Sequence, residues 1–328
     1  MHFICLITKC LYVFCIFCSS VLIAFSVSYS VKDNNIKQIN KDPTEKCQRI
    51  IQQTLQKNNL IIEKKNEKYL MNIKPAAPKL NVYIKTHKEN EPIRPVIDNT
   101  QAPSYKIAKH INKKLYSLLK LPNTYNTKNS QEIAVELKSI KINGNTKIIS
   151  MDIEDLYVNL PIQGIIKSTR YWLNKKNNNE EIIKQLLNIL QTIMKQNYFQ
   201  YKDKLYQPEK GIAMGSPKSS TMAESYLQYI KVTHIKQWWD AGKITYYRKY
   251  VDDIIIIYDT TKLQDIVGEQ KINSIDKNLQ FKMTTENNNT KNYLDLNLKR
   301  NESNLEISIY RKPTNTDTTI HYQSNHPL

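Results

Sequence analysis

Glycine is scarce in this chain, with six among 328 residues, and so are acids: 30 Asp and Glu stand against 48 Lys and Arg. Cysteine is absent after Cys47; the other four, Cys5, Cys10, Cys15 and Cys18, crowd near the N-terminus. That distribution excludes a disulfide framework or a structural zinc site for most of the fold. Cys15 and Cys18 have C-x-x-C spacing, but no second pair accompanies them, so the motif carries little weight. The shortage of acid leaves a formal net charge of +18 and an isoelectric point near 9.4. Only Lys9 contributes to it before Lys32, so +17 is spread along the remainder. Such an excess points to a polyanionic partner, nucleic acid ahead of an anionic membrane. A generally Lys- and Asn-rich composition is the competing source of the charge. The hydrophobic fraction of 40% supports a true core and excludes wholesale disorder.

Residues 1–31 form a hydrophobic leader. From Leu11 to Tyr29 it carries no charge, which meets the length for a membrane span. Serines between Ser26 and Ser30 also suit signal-peptide cleavage. Unrelated upstream sequence joined to the protein is the third reading, and the sequence leaves all three open. Residues 32–74 read as a polar, helical N-terminal extension without chemistry; "DPTEKCQRIIQQTLQK" opens on Asp42, Pro43 and Thr44, a good helix start.

From residue 75 to 328, short strands alternate with helices. "LNVYIKTH" and "IRPVID" read as a hairpin joined by "KENEP", which brings Lys85 near Arg94. "SYKIAKHINKKLYSLLK" has the apolar spacing of an amphipathic helix. Further helices are expected over Ser130–Ile140, from Asn159 with Pro161 near the first turn, over Glu180–Gln196, and near Thr261–Asn278. "YFQYKDKLYQ" is a hairpin, "GIAMGSPKSSTMAESYLQYIKVTHIKQWW" a loop feeding one long helix, and "LQFKMTTE", "YLDLNLKR" and "LEISIYRKP" are strands. Hairpins with helices between them argue an α+β fold, with helices on one face of an antiparallel sheet.

"YYRKYVDDIIIIYD" sets Asp252 and Asp253 against four isoleucines that read as a strand buried on both faces. Two carboxylates ~4 Å apart repel by roughly 4 kcal/mol at an effective dielectric of 20, so water, a proton, a basic neighbour or a metal must relieve them. Neighbouring strand residues point to opposite faces, and both aspartates serve one site only at a tight turn. In "TKIISMDIEDLYVNLPI", Asp152 projects from the end of a second apolar strand, a costly place for a lone carboxylate. Three convergent carboxylates suit Mg²⁺, whose other positions go to water and phosphate oxygens. The bland alternative is a solvated turn with two ordinary aspartates.

Taken together, "MDIEDLYVNLPI", "GIAMGSPKSS" and "YVDD" resemble the motifs of reverse transcriptases. "KTHKENEPIRPVID", "AMGSPKSSTMAE", "YLDLNL" and "IYRKPTNTDTTIHYQSNHP" resemble Penelope-like retroelement reverse transcriptases, in that family's order, over about residues 75 to 328. The resemblance implies the fingers and palm of a right-hand polymerase that copies an RNA template onto a DNA primer from deoxynucleoside triphosphates. It implies two Mg²⁺ ions, with Mn²⁺ as a substitute. Asp152 and Asp252 match the metal-binding carboxylates, with Asp253 the second member of the doublet. Asp155 is the rival to Asp152, set aside because Tyr157, five positions after Asp152, falls where the family keeps an aromatic that excludes a 2′-hydroxyl. Lys85 and Arg94 match basic residues that hold the triphosphate. Met214, Gly215 and Ser216, with Gly211 and Pro217, match the loop beside the nascent base pair. Arg311 and Lys312 match phosphate contacts to the primer.

Departures from the pattern also set expectations. Lys218 stands where the family usually has an apolar residue, and Ile84 where it often has proline. The chain reaches "SNHPL" without a recognisable thumb or GIY-YIG endonuclease, so the expected organisation is fingers and palm with the thumb largely missing. Two functions follow: an RNA-directed DNA polymerase, or a catalytically inactive, truncated relic that binds nucleic acid. A membrane is a partner only if the leader is authentic. The family implies the nucleus or cytoplasm, whereas the leader suggests the secretory pathway.

Overall fold

The computed structural model describes residues 36–84, 93–122, 125–262 and 272–313. The leader, Lys85, half of the expected Thr261–Asn278 helix and residues 314–328 lie outside these. The chain divides into two compact units: residues to Pro122 with Asp155–Lys231, and Asn123–Glu154 with Val232 onward.

The first unit holds a five-stranded sheet in the order β1-β6-β5-β2-β3. Its strands are β1 (Ile36–Ile39), β2 (Lys79–Ile84), β3 (Ile93–Asp98), β5 (Phe199–Tyr201) and β6 (Lys204–Pro208). All neighbours are antiparallel except β2 and β5. The helices of this unit include α1 (Thr44–Lys57), α2 (Glu67–Leu70), α3 (Tyr105–Leu119), α5 (Leu156–Asn159), α6 (Ile162–Lys175), α7 (Glu180–Lys195) and α8 (Ser219–Ile230). Helix α7 shows how the sequence sets this packing. Asn179 caps it, accepting from the amides of Glu181 and Ile182, and Ile183, Leu186, Leu187, Leu190, Ile193 and Met194 bury one stripe. Trp172 of α6 is buried and donates its indole N–H to Ser225 O at 3.0 Å, which ties α6 to α8.

Three elements differ from expectation. The extension contributes β1 as well as a helix, because "IKQI" finds its partner in β6 through backbone hydrogen bonds that a four-residue polar run does not advertise. Asn159 ends the short α5 instead of starting a long helix. Pro161, which lacks an N–H, sits at the N-cap of α6. The long helix expected after the loop is interrupted: α8 passes into a π-helical turn, Lys231–Ile235, before α9 (Lys236–Asp240).

The second unit is built on a four-stranded antiparallel sheet, β7-β8-β4-β9, and a three-stranded antiparallel meander, β10-β11-β12. These strands are β4 (Thr146–Glu154), β7 (Ile244–Tyr250), β8 (Asp253–Asp259), β9 (Gln280–Thr285), β10 (Thr290–Tyr293), β11 (Leu296–Arg300) and β12 (Leu305–Ile309). β8 lies between β7 and β4, and Ile254 to Ile257 are buried on both its faces, as their run predicts. On one face Ile148, Ile255 and Ile257 pack against Ile133 and Leu137 of α4 (Ser130–Leu137) and against Tyr293, Leu296 and Leu298 of the meander.

One buried ion pair ties the meander to the sheet. Glu286 accepts from Arg300 Nε at 2.9 Å and its terminal nitrogen at 2.7 Å, from Lys147 Nζ at 3.2 Å and from the Ile148 amide at 3.1 Å. Desolvation pushes its carboxyl up, but these hydrogen bonds outweigh it and leave the group below the ordinary 4.5. Its contribution is therefore complete above pH 4.5 and is lost as pH falls through the folded value. Replacing Glu286 with Gln leaves Arg300 buried without a counter-charge and is expected to cost about 3 kcal/mol. Denaturant unfolding at pH 7 checks the loss, and the gap between wild type and variant is expected to narrow as pH falls below 4.5.

Candidate functional site

The carboxylates belong to the second unit. β4 and β8 run in register from Thr146↔Asp259 to Met151↔Ile254, and Asp152 and Asp253 each stand one residue beyond that last pair. Since Ser150 pairs with Ile255 and side chains alternate, Asp152 and Asp253 share the face that buries Ile148, Ile255 and Ile257. Asp152 is exposed, and Asp252 and Asp253 are half-buried. On its other side Asp152 pairs with Lys282 of β9. Tyr250 pairs with Asp253, leaving Val251 and Asp252 as a two-residue hairpin turn. Val251 has φ +55°. Such loops usually give that first position to asparagine, aspartate or glycine, and a β-branched residue there is strained. Lys249 Nζ donates to Val251 O at 3.0 Å, and Tyr293 Oη donates to Asp253 O, also at 3.0 Å. Neither side chain was singled out from the sequence; the available signal was a lysine two residues before the turn.

Among the described residues no three or more His, Cys, Asp or Glu side chains are gathered to hold a metal ion. What the strands supply is an open set of hard oxygen donors at adjacent strand ends. Mg²⁺ demands few protein ligands and keeps its other positions for water and phosphate, so this donor set fits it.

The first unit carries the nucleotide-binding candidates. The loop from Gly211 to Lys218 is pinned at two points in its first half. Ile212 N donates to Tyr157 O at 2.8 Å, and Ile97 N of β3 donates to Met214 O at 2.9 Å. Gly211 (φ +81°) lies against the carbonyls of Tyr157 and Val158, and a Cβ on Gly215 (φ +102°) would stand 2.5 Å from Ile97 O. Only glycine meets both demands at these two positions. Tyr157, Met214, Gly215 and Ser216 are thereby joined to the strand that carries Arg94, which is exposed and pairs with Tyr83. Lys85 lies outside the described residues. Beside the loop is a cavity of about 600 Å³ lined by Asn81, Asp98, Tyr105, Lys109, Gly215 and Pro217, among others. Periodicity marked α3 as amphipathic and left the chemistry of Tyr105 and Lys109 unread. Arg311 and Lys312 are exposed just past β12 in the second unit. Asp155 takes a left-handed conformation at the N-cap of α5, where its carbonyl accepts from Val158 and Asn159.

The two units have the fold of polymerase fingers and palm. The chain resembles the apo telomerase of Candida tropicalis, with a TM-score of 0.61, 12% identity and coverage of 88% of this chain and 53% of that one. Telomerase of Candida albicans, solved with a fragment of telomeric RNA, matches with a TM-score of 0.59, 12% identity and coverage of 89% and 50%. The chain thus spans about half the length of these telomerases. No curated protein matches it in sequence. The family profile described as reverse transcriptase (RNA-dependent DNA polymerase) matches residues 85–291, and the chain belongs to that family.

Lys218, at a position where the resemblance leads one to expect an apolar residue, is buried like one, 6% exposed, with Nζ on Ser216 Oγ at 3.1 Å. Burial pushes its ammonium down to about 8. The unfolded chain holds that proton up to about 10.5, so between these values the folded state gains stability as pH rises. Lys218→Met is expected to raise stability at pH 7 by about 3 kcal/mol. Thermal unfolding followed from pH 7 to pH 10.5 should show that advantage shrink.

Proposed function

We propose that this chain is an RNA-directed DNA polymerase of the Penelope-like retroelement type, joining deoxynucleotides to a primer 3′-hydroxyl on an RNA template. The observation that carries the reading is the placement of Asp152 beside the Val251–Asp252 turn by the β4–β8 ladder. In the reaction the 3′-oxygen bonds to the α-phosphorus, the hydroxyl proton leaves, and pyrophosphate departs with the electrons of the broken P–O bond. Asp152 and Asp252, assisted by Asp253, are the groups that would hold the Mg²⁺ ions. Bound there, two such ions supply charge neutralisation at the attacking and leaving oxygens. Arg94, joined by Lys85, grips triphosphate oxygens with its planar fork. Tyr157 packs against the incoming sugar and selects against a 2′-hydroxyl, Met214 to Ser216 lie along the new base pair, and Arg311 and Lys312 hold primer phosphates. The basic surplus serves the template and primer backbones. Holding reactants in line and balancing charge account for most of such catalysis.

The test is primer extension by the full chain on a primed RNA template, with Mg²⁺ or Mn²⁺, beside Asp252→Asn. Extension by the wild type and a loss of at least about 1,000-fold in the variant are expected, as for removal of a group central to transition-state charge. Tight, salt-sensitive binding to primer–template without any extension would replace the polymerase with a nucleic-acid-binding relic.

A further inference from the structure

We propose that Lys249 and Tyr293 form a buried clamp that positions the Val251–Asp252 turn for nucleotidyl transfer. The inference rests on the polymerase reading above and assigns that site two positioning residues that are not carboxylates.

The turn needs outside support. Val251 occupies a left-handed conformation at φ +55° that its branched side chain disfavours, so the local sequence alone does not select this geometry. Two side chains donate to the turn and its base. Lys249 Nζ reaches Val251 O, and Tyr293 Oη reaches Asp253 O, each at 3.0 Å. The two carbonyls bracket Asp252, so its backbone is held from both sides.

Both donors are themselves held firmly. Lys249 is 3% exposed. Its amide donates to Tyr125 O at 2.9 Å and its carbonyl accepts from Thr127 N at 3.0 Å, while the residue pairs with Ile254 across the ladder. Tyr293 is 4% exposed, pairs with Leu296, and packs with Ile255 and Ile257 in the core. An ammonium is costly to bury, and this one spends a hydrogen bond on the carbonyl of the turn.

The experiment compares the full-length wild type with Lys249→Met, Lys249→Arg, Tyr293→Phe and Asp252→Asn. Primer extension gives kcat and the KM for deoxynucleotide. Anisotropy gives primer–template affinity, circular dichroism and thermal melting report folding, and calorimetric titration with Mn²⁺ alone reports the carboxylate site without turnover. Lys249→Met is expected to lower kcat on the order of 10–100-fold, because a small misplacement of a reacting constellation costs that much. Tyr293→Phe should lower it about 10-fold. Primer–template affinity should stay within about 2-fold, Mn²⁺ binding should weaken, and Lys249→Arg should recover most of the rate. Folded Lys249→Met and Tyr293→Phe proteins with wild-type kcat and wild-type Mn²⁺ binding would overturn the clamp. So would a rate loss that vanishes at temperatures where the variants are fully folded. If the wild type does not extend a primer, the polymerase reading fails; the clamp is then decided by Mn²⁺ binding alone, weakened in Lys249→Met if it stands and unchanged if it does not.

Discussion

The register between β4 and β8 is the constraint on which the rest of the candidate site depends. Ile148 faces Ile257 and Ser150 faces Ile255, and the buried isoleucines on both faces of β8 hold that alignment. A slip by one residue would turn every side chain of β8 to the opposite face, moving Asp253 away from Asp152 and bringing a different set of isoleucines against α4 and the meander. The hydrophobic pattern therefore does two things at once. It builds the core, and it fixes where the carboxylates emerge at the end of the ladder.

In the first unit the corresponding constraint is close backbone approach. Two glycines let the Gly211–Lys218 loop lie against the carbonyls of Tyr157, Val158 and Ile97, and hydrogen bonds from Ile212 and Ile97 seal both contacts. Three segments far apart in sequence are thus held as one body. A chain with only six glycines places two of them here, at positive φ, where a side chain has no room.

The abundance of lysine has an internal consequence beyond the attraction for polyanions. Several cations are buried, and they are satisfied in different ways. Arg300 has the carboxylate of Glu286, whereas Lys218 donates to the hydroxyl of Ser216 and Lys291 to the hydroxyl of Thr284. A neutral partner returns less than an ion pair does when charge leaves water. Burial accordingly pushes the ammonium groups of Lys218 and Lys291 down. These residues cost stability and hold local geometry in exchange.

Much was legible in the amino-acid sequence because the signals are local. Periodicity marked α3 and α7, alternation marked β4, the isoleucine run announced a strand buried on both faces, and the ordered motifs pointed to the reverse transcriptase family. Charge set next to apolar strands singled out Asp152 and the Asp252–Asp253 doublet as candidates. What needed the tertiary structure depends on partners remote in sequence. β1 exists because β6 offers it an edge, and Lys218 is recognisable as a core residue only when its surroundings are seen. The support given to the turn by Lys249 and Tyr293 appears only once β7, β8 and β10 are assembled. A hydrogen bond between residues forty positions apart leaves no trace in composition or period; only packing decides it.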